Sequence, residues 1–122
     1  MADVVKDDPS DTAGKLIAAS KVNGTAVYDT SGEKIGSVYD VMIDKSTGRT
    51  EYAIMSFGGI LGIGDSYHPL PWASLTYDKA RGGYVVNIDR SRLEGAPVYS
   101  GNEQDIWADP AYAALVTTYY GI

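Results

Sequence analysis

The chain has 122 residues, of which 16 are acidic and 10 are basic, so its formal net charge at neutral pH is −6. This length suffices for one compact domain, and the acid excess is unfavourable for binding to DNA or to anionic lipid. The absence of cysteine excludes disulfides, thiolate metal sites and thiol nucleophiles.

The N-terminal residues 1–15 are polar and acidic and show no hydrophobic period, which predicts a flexible arm. The apolar pair Val4 and Val5 is too short for a signal peptide or a membrane span. We therefore expect no integral membrane segment and a cytoplasmic location.

The segment Ile35 to Asp44 alternates with a period of two, which predicts one long strand. The alternation places Tyr39 and Val41 on one face and Val38 on the other. A four-residue loop, 45–48, then predicts a hairpin whose partner strand is 49–57. The end of that partner strand is almost continuously apolar and is therefore the predicted core strand.

A glycine-rich run, 58–64, follows this strand. A phosphate-binding loop needs a following helix, and Pro69 and Pro71 exclude one here. We therefore interpret the run as a flexible loop that contacts a protein partner. Its candidate interaction residues are the three apolar ones, Ile60, Leu61 and Ile63.

Two further strands, 75–78 and 84–88, are predicted across a glycine-containing loop. About six strands result, most of them in hairpins. Closure of such a sheet removes its edges, so the predicted fold is mainly β, a small closed or partly open six-stranded barrel with a C-terminal helix.

The C-terminal helix has clear boundaries, because Asp109 can cap it, Pro110 suits its first position and Gly121 can end it. Its apolar side must cover either its own barrel or a second copy of the chain. The candidate interaction residues of this region are Trp107, Tyr112, Leu115, Val116 and Tyr119.

Catalytic chemistry has little support in the sequence. His68 is the only histidine, and no G-x-S-x-G motif accompanies it. Asp40 and Asp44 would lie roughly 13 Å apart along a strand, which is too far for a glycosidase pair unless the side chains converge. We expect no catalytic residue, no metal site and no cofactor.

The segment Gly32 to Asp44 has the pattern G-x-x-I-G-x-V-x-D-x-x-I-D, and the glycine run and a strand ending in Pro71 and Trp72 come after it. Over about residues 16–95 the chain resembles the PRC-barrel family. The resemblance implies a small barrel that docks on macromolecules, as in the photosynthetic reaction-centre H subunit and a ribosome maturation factor. The later W-x-D-P-x-Y segment is similar to tails of stand-alone bacterial members.

The predicted organisation is an acidic arm over 1–15, a PRC-barrel domain over 16–95 and a helical extension over 96–122. The predicted function is a non-enzymatic adaptor that forms a homodimer and binds another protein, because the tyrosine-rich composition is typical of interfaces. One alternative is a regulatory barrel that binds a small ligand or a metal near His68. Another is an RNA-processing accessory factor, which the scattered basic residues do not favour.

Overall fold

A curled six-stranded sheet forms the body of the protein in a computed structural model, which describes residues 16–57, 66–99 and 106–121. The predicted arm, 1–15, and the predicted loop residues Ile60, Leu61 and Ile63 lie outside these ranges. The strands are β1 (Ala26–Tyr28), β2 (Lys34–Ile43), β3 (Thr50–Phe57), β4 (Ser66–Pro71), β5 (Leu75–Asp78) and β6 (Gly83–Val86).

The sheet order is β4-β3-β2-β1-β6-β5, so β4 and β5 are the two edge strands. Neighbours are antiparallel except β1 and β6, which are parallel. The predicted mainly-β fold with six strands and a C-terminal helix is confirmed, in the form of a half-barrel.

The helices within the described ranges are α1 (Ala19–Val22), α2 (Arg90–Glu94) and α3 (Pro110–Tyr120), and the two 3-10 turns are Trp72–Ser74 and Ile106–Ala108. The predicted ends of α3 are confirmed. Asp109 accepts a hydrogen bond from the amide of Ala111 at 2.9 Å, and Gly121 ends the helix with a φ of 75°. None of these helices is long and apolar enough to cross a membrane.

A bulge at Tyr39 interrupts the alternation of β2. Val38 pairs with Met55, whereas Asp40 pairs with the preceding residue of β3, Ile54, so Tyr39 is an extra residue between the two pairs. Val38 and Val41 consequently both pack into the core. The sequence-based assignment of these two valines to opposite faces is therefore wrong, because an inserted residue reverses the alternation after it.

Both faces of β3 are covered. Met55 pairs with Val38 and His68 on the core side, and the adjacent Ile54 points to the opposite side because successive strand residues alternate. Both side chains are fully buried, which confirms β3 as the predicted core strand. The core side packs against a cluster that consists of Val22, Val27, Ile35, Val38, Ala53, Met55, Phe57, Leu70, Tyr84, Val86 and Leu93.

The outer side of β3 and β4 is covered by the C-terminal extension. The ring of Tyr52, which shares the face of Ile54, lies 4.8 Å from that of Trp107, and α3 lies against β4. On the exposed edge of β4 the carbonyl of Tyr67 accepts a hydrogen bond from the amide of Tyr99 at 2.7 Å. Pro69 has the same parity as Tyr67, so its missing N–H removes no bond to β3.

Candidate functional site

His68 is a buried structural residue that ties β4 to the chain after α2. Its Nδ1 lies 3.0 Å from the carbonyl oxygen of Pro97, and its Nε2 lies 3.1 Å from the hydroxyl of Ser66. A carbonyl only accepts, so Nδ1 carries the proton and donates to it. Both ring nitrogens are therefore engaged within the chain, and neither faces solvent.

Asp40 and Asp44, the carboxylates that the sequence offered for catalysis, both accept hydrogen bonds from nearby backbone amides. Asp44 accepts hydrogen bonds from the amides of Thr47 at 3.1 Å and Ser46 at 2.8 Å, and these bonds lower the pKa of its carboxyl. Asp40 accepts one from the amide of Val41. In the parts of the chain that the structure describes, no three His, Asp or Glu side chains are grouped so that they could hold a metal ion.

Trp107 lies at the centre of an aromatic cluster in the C-terminal extension. Its ring centroid is 4.8 Å from that of Tyr52, 5.0 Å from that of Tyr112 and 6.0 Å from that of Tyr99. The hydroxyl of Tyr112 also donates to the carbonyl of Val98 at 2.9 Å. The predicted interaction residues Trp107 and Tyr112 thus already make contacts within their own chain.

The buried side of α3 is narrower than the sequence indicated. Val116 is fully buried and Tyr112 is half-buried, but Leu115 is 55% exposed. Residues four apart lie almost above one another on a helix, whereas adjacent residues are separated by about 100°. Leu115 is therefore not covered by its own barrel, and its side chain is open to solvent.

The C-terminal end of α3 is anchored on α2. The hydroxyl of Tyr119 donates to the carbonyl of Arg92 at 2.5 Å, and the Arg92 guanidinium donates to the carbonyl of Tyr119. The same guanidinium lies 4.9 Å from the centre of the Tyr119 ring. Tyr119, another predicted interaction residue, is thus part of an intrachain anchor.

Tyr120 differs from its neighbour, because its buried hydroxyl has no hydrogen-bond partner among the described residues. We expect Tyr120→Phe to raise the free energy of unfolding by about 1 kcal/mol or more, since it removes an unsatisfied polar group. The matched variant Tyr119→Phe loses a hydrogen bond and should lower that free energy by about 1 kcal/mol. Urea denaturation measures both free energies of unfolding. Changes of the same sign in the two variants would contradict the difference in hydrogen bonding between the two hydroxyls.

The stability of the same two variants should also respond differently to alkaline pH. Burial, with a smaller contribution from Tyr119, raises the pKa of the Tyr120 hydroxyl above its ordinary value. The unfolded chain then loses this proton first, so stability should fall as the pH rises beyond about 10. In Tyr120→Phe this contribution to the decline should be absent.

We group four uncharged residues near the outer side of β4 under the name outer seam: Tyr39, Tyr67, Val98 and Leu115. Tyr39 on β2 is 56% exposed, and its ring centroid lies 4.7 Å from that of Tyr67 on β4. The backbone of Tyr67 bonds to Tyr99, the neighbour of Val98, which is 60% exposed. The carbonyl of Val98 accepts a hydrogen bond from the hydroxyl of Tyr112 on α3, one turn before Leu115.

Sequence reasoning identified only Leu115 of this seam. Tyr39 and Tyr67 are 28 positions apart, and the bulge that turns Tyr39 outward leaves no mark in a period-two pattern. The available signal was the surplus of tyrosine, a residue that is suited to half-buried positions.

The chain was compared with known proteins. Among solved structures it is similar to RimM of Pseudomonas aeruginosa, described as a 16S ribosomal RNA processing protein, with 18% identity and a TM-score of 0.41 over 71% of this chain and 49% of that chain. The chain thus spans about half the length of that protein. No curated protein matches the chain. The sequence model of the PRC-barrel domain matches residues 14–93, which is more than half of the chain, and the protein therefore belongs to the PRC-barrel family.

Proposed function

We propose that this protein is a non-enzymatic protein-interaction module that self-associates through the outer seam. The observation that carries the proposal is the exposure of Tyr39, Val98 and Leu115, each more than half open to solvent. Tyr39 contacts β4 through Tyr67, and α3, which carries Leu115, also lies against β4. Large exposed apolar side chains grouped in one region are typical of protein-binding surfaces, and tyrosine is enriched at them.

The absence of charge in the seam favours a second copy of the chain as its binding partner. A chain with a net charge of −6 repels its own copies, so a self-complementary interface must exclude the acidic side chains. The four residues that define the seam are uncharged, and two copies related by a twofold axis can bury them against each other without desolvating a charge.

The roles of the polar side chains support a non-enzymatic function. His68 is buried and uses both ring nitrogens inside the chain, and Asp44 is committed to its hairpin. A general acid or base must reach a substrate, which the buried His68 does not, and the lowered pKa of Asp44 makes its carboxylate a weak base.

Self-association is tested by sedimentation velocity over a range of protein concentrations. We expect the unmodified chain to form dimers at tens of micromolar. Tyr39→Ala should weaken the dimer about tenfold or more, because exposed tyrosines at interface centres contribute strongly to binding. Tyr77→Ala is the matched control, since Tyr77 is also a partly exposed tyrosine that contacts a second tyrosine ring, but on β5 at the other edge of the sheet.

Either of two results would overturn the seam as the dimer surface. One is a monomer at every concentration tested. The other is a dimer that Tyr77→Ala weakens as much as Tyr39→Ala does. Circular dichroism of both variants shows whether they remain folded.

A further inference from the structure

The two edge strands of the sheet differ in how their outer edges are protected. Pro69 and Pro71 on β4 have no N–H group, and the carbonyl of Tyr67 on the same edge already accepts a hydrogen bond from Tyr99. The other edge strand, β5, contains no proline, and β6 is the only strand beside it within the described residues. An edge without such protection can pair with another extended chain.

Two hydrogen bonds determine which backbone groups of β5 face outward. The amide of Leu75 donates to the carbonyl of Trp72, so it is not bonded to its ladder partner on β6, Val86. The carbonyl of Asp78 accepts a hydrogen bond from the amide of Gly82 at 2.9 Å, inside the hairpin that joins β5 to β6. The backbone of Leu75 therefore faces away from β6, and that of Asp78 faces towards it.

Tyr77 consequently presents its backbone to the free edge. The N–H and C=O groups of successive strand residues point to opposite sides, so Tyr77 shares the orientation of Leu75. Thr76 shares that of Asp78 and forms the hydrogen-bonded pair with Val85 on β6. No backbone group of another described element bonds to the N–H or C=O of Tyr77. These two groups are a donor and an acceptor that one residue of an added antiparallel strand can satisfy.

The side chains of β5 offer a different surface on each side of this edge. Tyr77 pairs with Tyr84 of the core cluster, so its ring lies on the core side, where it is 44% exposed and 5.2 Å from the Tyr84 ring. Thr76 lies on the outer side together with its partner Val85. A cleft of about 430 Å³ follows this outer side, and Thr76, Val85 and Asn87 are among its lining residues.

An extended peptide is the kind of ligand that uses both surfaces at once. Successive side chains of a strand point to opposite faces, so a residue opposite Tyr77 packs on its ring, and the next residue, opposite Thr76, lies beside the cleft. Cross-strand neighbours have Cβ atoms about 4.5–5.5 Å apart, which is within contact distance. The hydroxyl of Thr76 and the amide of Asn87 both donate and accept hydrogen bonds. The edge therefore suits a peptide that alternates apolar and polar residues.

The charges favour a basic peptide over a second copy of the chain. The carboxylate of Asp78 lies on the outer side with Thr76, and its closest approach to the guanidinium of Arg81 is 4.0 Å, in an exposed pair that contributes little. A basic side chain in the cross-strand position opposite Asp78 is stabilising, and a net charge of −6 attracts a basic segment. A second copy would add its own Asp78 and the same net charge.

We propose that the free edge of β5 binds an extended basic segment of a partner protein as an additional antiparallel strand. One residue of the segment exchanges two hydrogen bonds with the backbone of Tyr77 and packs an apolar side chain on its ring. The preceding residue, opposite Asp78, is basic, and the following residue, opposite Thr76, is polar. β5 and β4 are at opposite ends of the strand order, so this binding is independent of self-association through the outer seam.

The first test is amide hydrogen exchange of the full chain, followed by two-dimensional ¹H–¹⁵N NMR. In the free chain the amide of Tyr77 should exchange much faster than that of Thr76, because only the latter is bonded within the sheet. The probe is the peptide acetyl-TVKFTVT-amide, whose phenylalanine is placed to lie opposite Tyr77. We expect saturable binding with a dissociation constant below about 1 mM, and slower exchange of the Tyr77 amide in the complex.

Modified peptides test the pairing without any change to the protein. N-methylation of the phenylalanine removes the N–H that donates to the carbonyl of Tyr77, and it should weaken binding about tenfold or more. N-methylation of the threonine that follows is the matched control, because its N–H points away from β5. Replacement of the lysine by glutamate, opposite Asp78, should also weaken binding.

Two substitutions at position 77 separate the backbone from the ring. Tyr77→Val loses the ring and keeps the N–H, whereas Tyr77→Pro loses both, and a strand edge is where proline is tolerated. Peptide affinity should decrease from the unmodified chain to Tyr77→Val and again to Tyr77→Pro, and circular dichroism shows whether both variants are folded. Ile43→Ser, at an exposed apolar residue of β2 outside both surfaces, should leave peptide affinity unchanged.

Any of four results would overturn the proposal. The first is a Tyr77 amide as protected as that of Thr76 in the free chain, because the chain itself would then occupy the edge, or a second copy if the protection rises with protein concentration. The second is the absence of saturable peptide binding up to the solubility limit. The third is an equal loss of affinity on N-methylation at the two adjacent positions. The fourth is tighter binding of the glutamate peptide than of the lysine peptide.

Discussion

Gly36→Ala is expected to lower the free energy of unfolding by about 3 kcal/mol or more. A Cβ atom on Gly36 would lie 2.3 Å from the carbonyl oxygen of Ser56 and 3.3 Å from its carbonyl carbon. Real Cβ atoms do not approach backbone atoms so closely. Ser56 pairs with Ser37 in the ladder between β2 and β3, so the contact is relieved only if the two strands separate.

Gly95→Ala is the matched control for this change. Gly95 follows α2 with a φ of −96°, and the nearest atom to an added Cβ is the hydroxyl oxygen of Tyr119 at 3.5 Å, an ordinary van der Waals contact. The two substitutions restrict the unfolded chain equally, so the unfolded state cancels in their comparison. We expect Gly95→Ala to change stability by no more than about 0.5 kcal/mol.

Urea denaturation followed by circular dichroism measures both variants. Equal midpoints would show that β2 and β3 can accommodate a methyl group at position 36, and the close approach of the strands would then not be a requirement of the fold. A loss confined to Gly36→Ala would explain physically why the G-x-x-I-G pattern places a glycine inside a strand.

Local signals accounted for most of the secondary structure. Period-two patterning located β2, the hairpin loop after it located β3, and the residues Asp109 and Gly121 located both ends of α3. These features depend on residues that are close in sequence, so the sequence alone suffices to predict them. The short helix α1, by contrast, has no side-chain cap and was not predicted.

Features that depend on distant contacts were not predictable from the sequence. The outward turn of Tyr39 needs a bulge, and the burial of His68 needs the carbonyl of Pro97, which is 29 positions away. Thr30 and Asn87 line one surface pocket although they are distant in sequence, because β1 runs parallel to β6. Side-chain composition indicated an interaction surface, but only contacts between distant elements locate it.

Variants of the two neighbouring residues Val116 and Leu115 test whether α3 covers its own barrel in solution. Val116 is fully buried, whereas Leu115 is more than half exposed. We expect Val116→Asp to lower the free energy of unfolding by about 3 kcal/mol or more, since it places an unpaired charge in an apolar site. Leu115→Asp should lower it by only about 0.5 kcal/mol, which is the difference in helix propensity.

The dependence of these losses on protein concentration distinguishes packing within one chain from packing on a second copy. If α3 covers its own barrel, Val116→Asp destabilises the monomer, so the full loss is present even at concentrations too low for dimers to form. If the helix docks on a partner instead, the loss disappears at those low concentrations. Leu115→Asp puts a carboxylate into the uncharged outer seam, so it should abolish the dimer while the monomer stays folded. A folded Leu115→Asp that dimerises normally would remove Leu115 from the interface and leave the seam to Tyr39, Tyr67 and Val98.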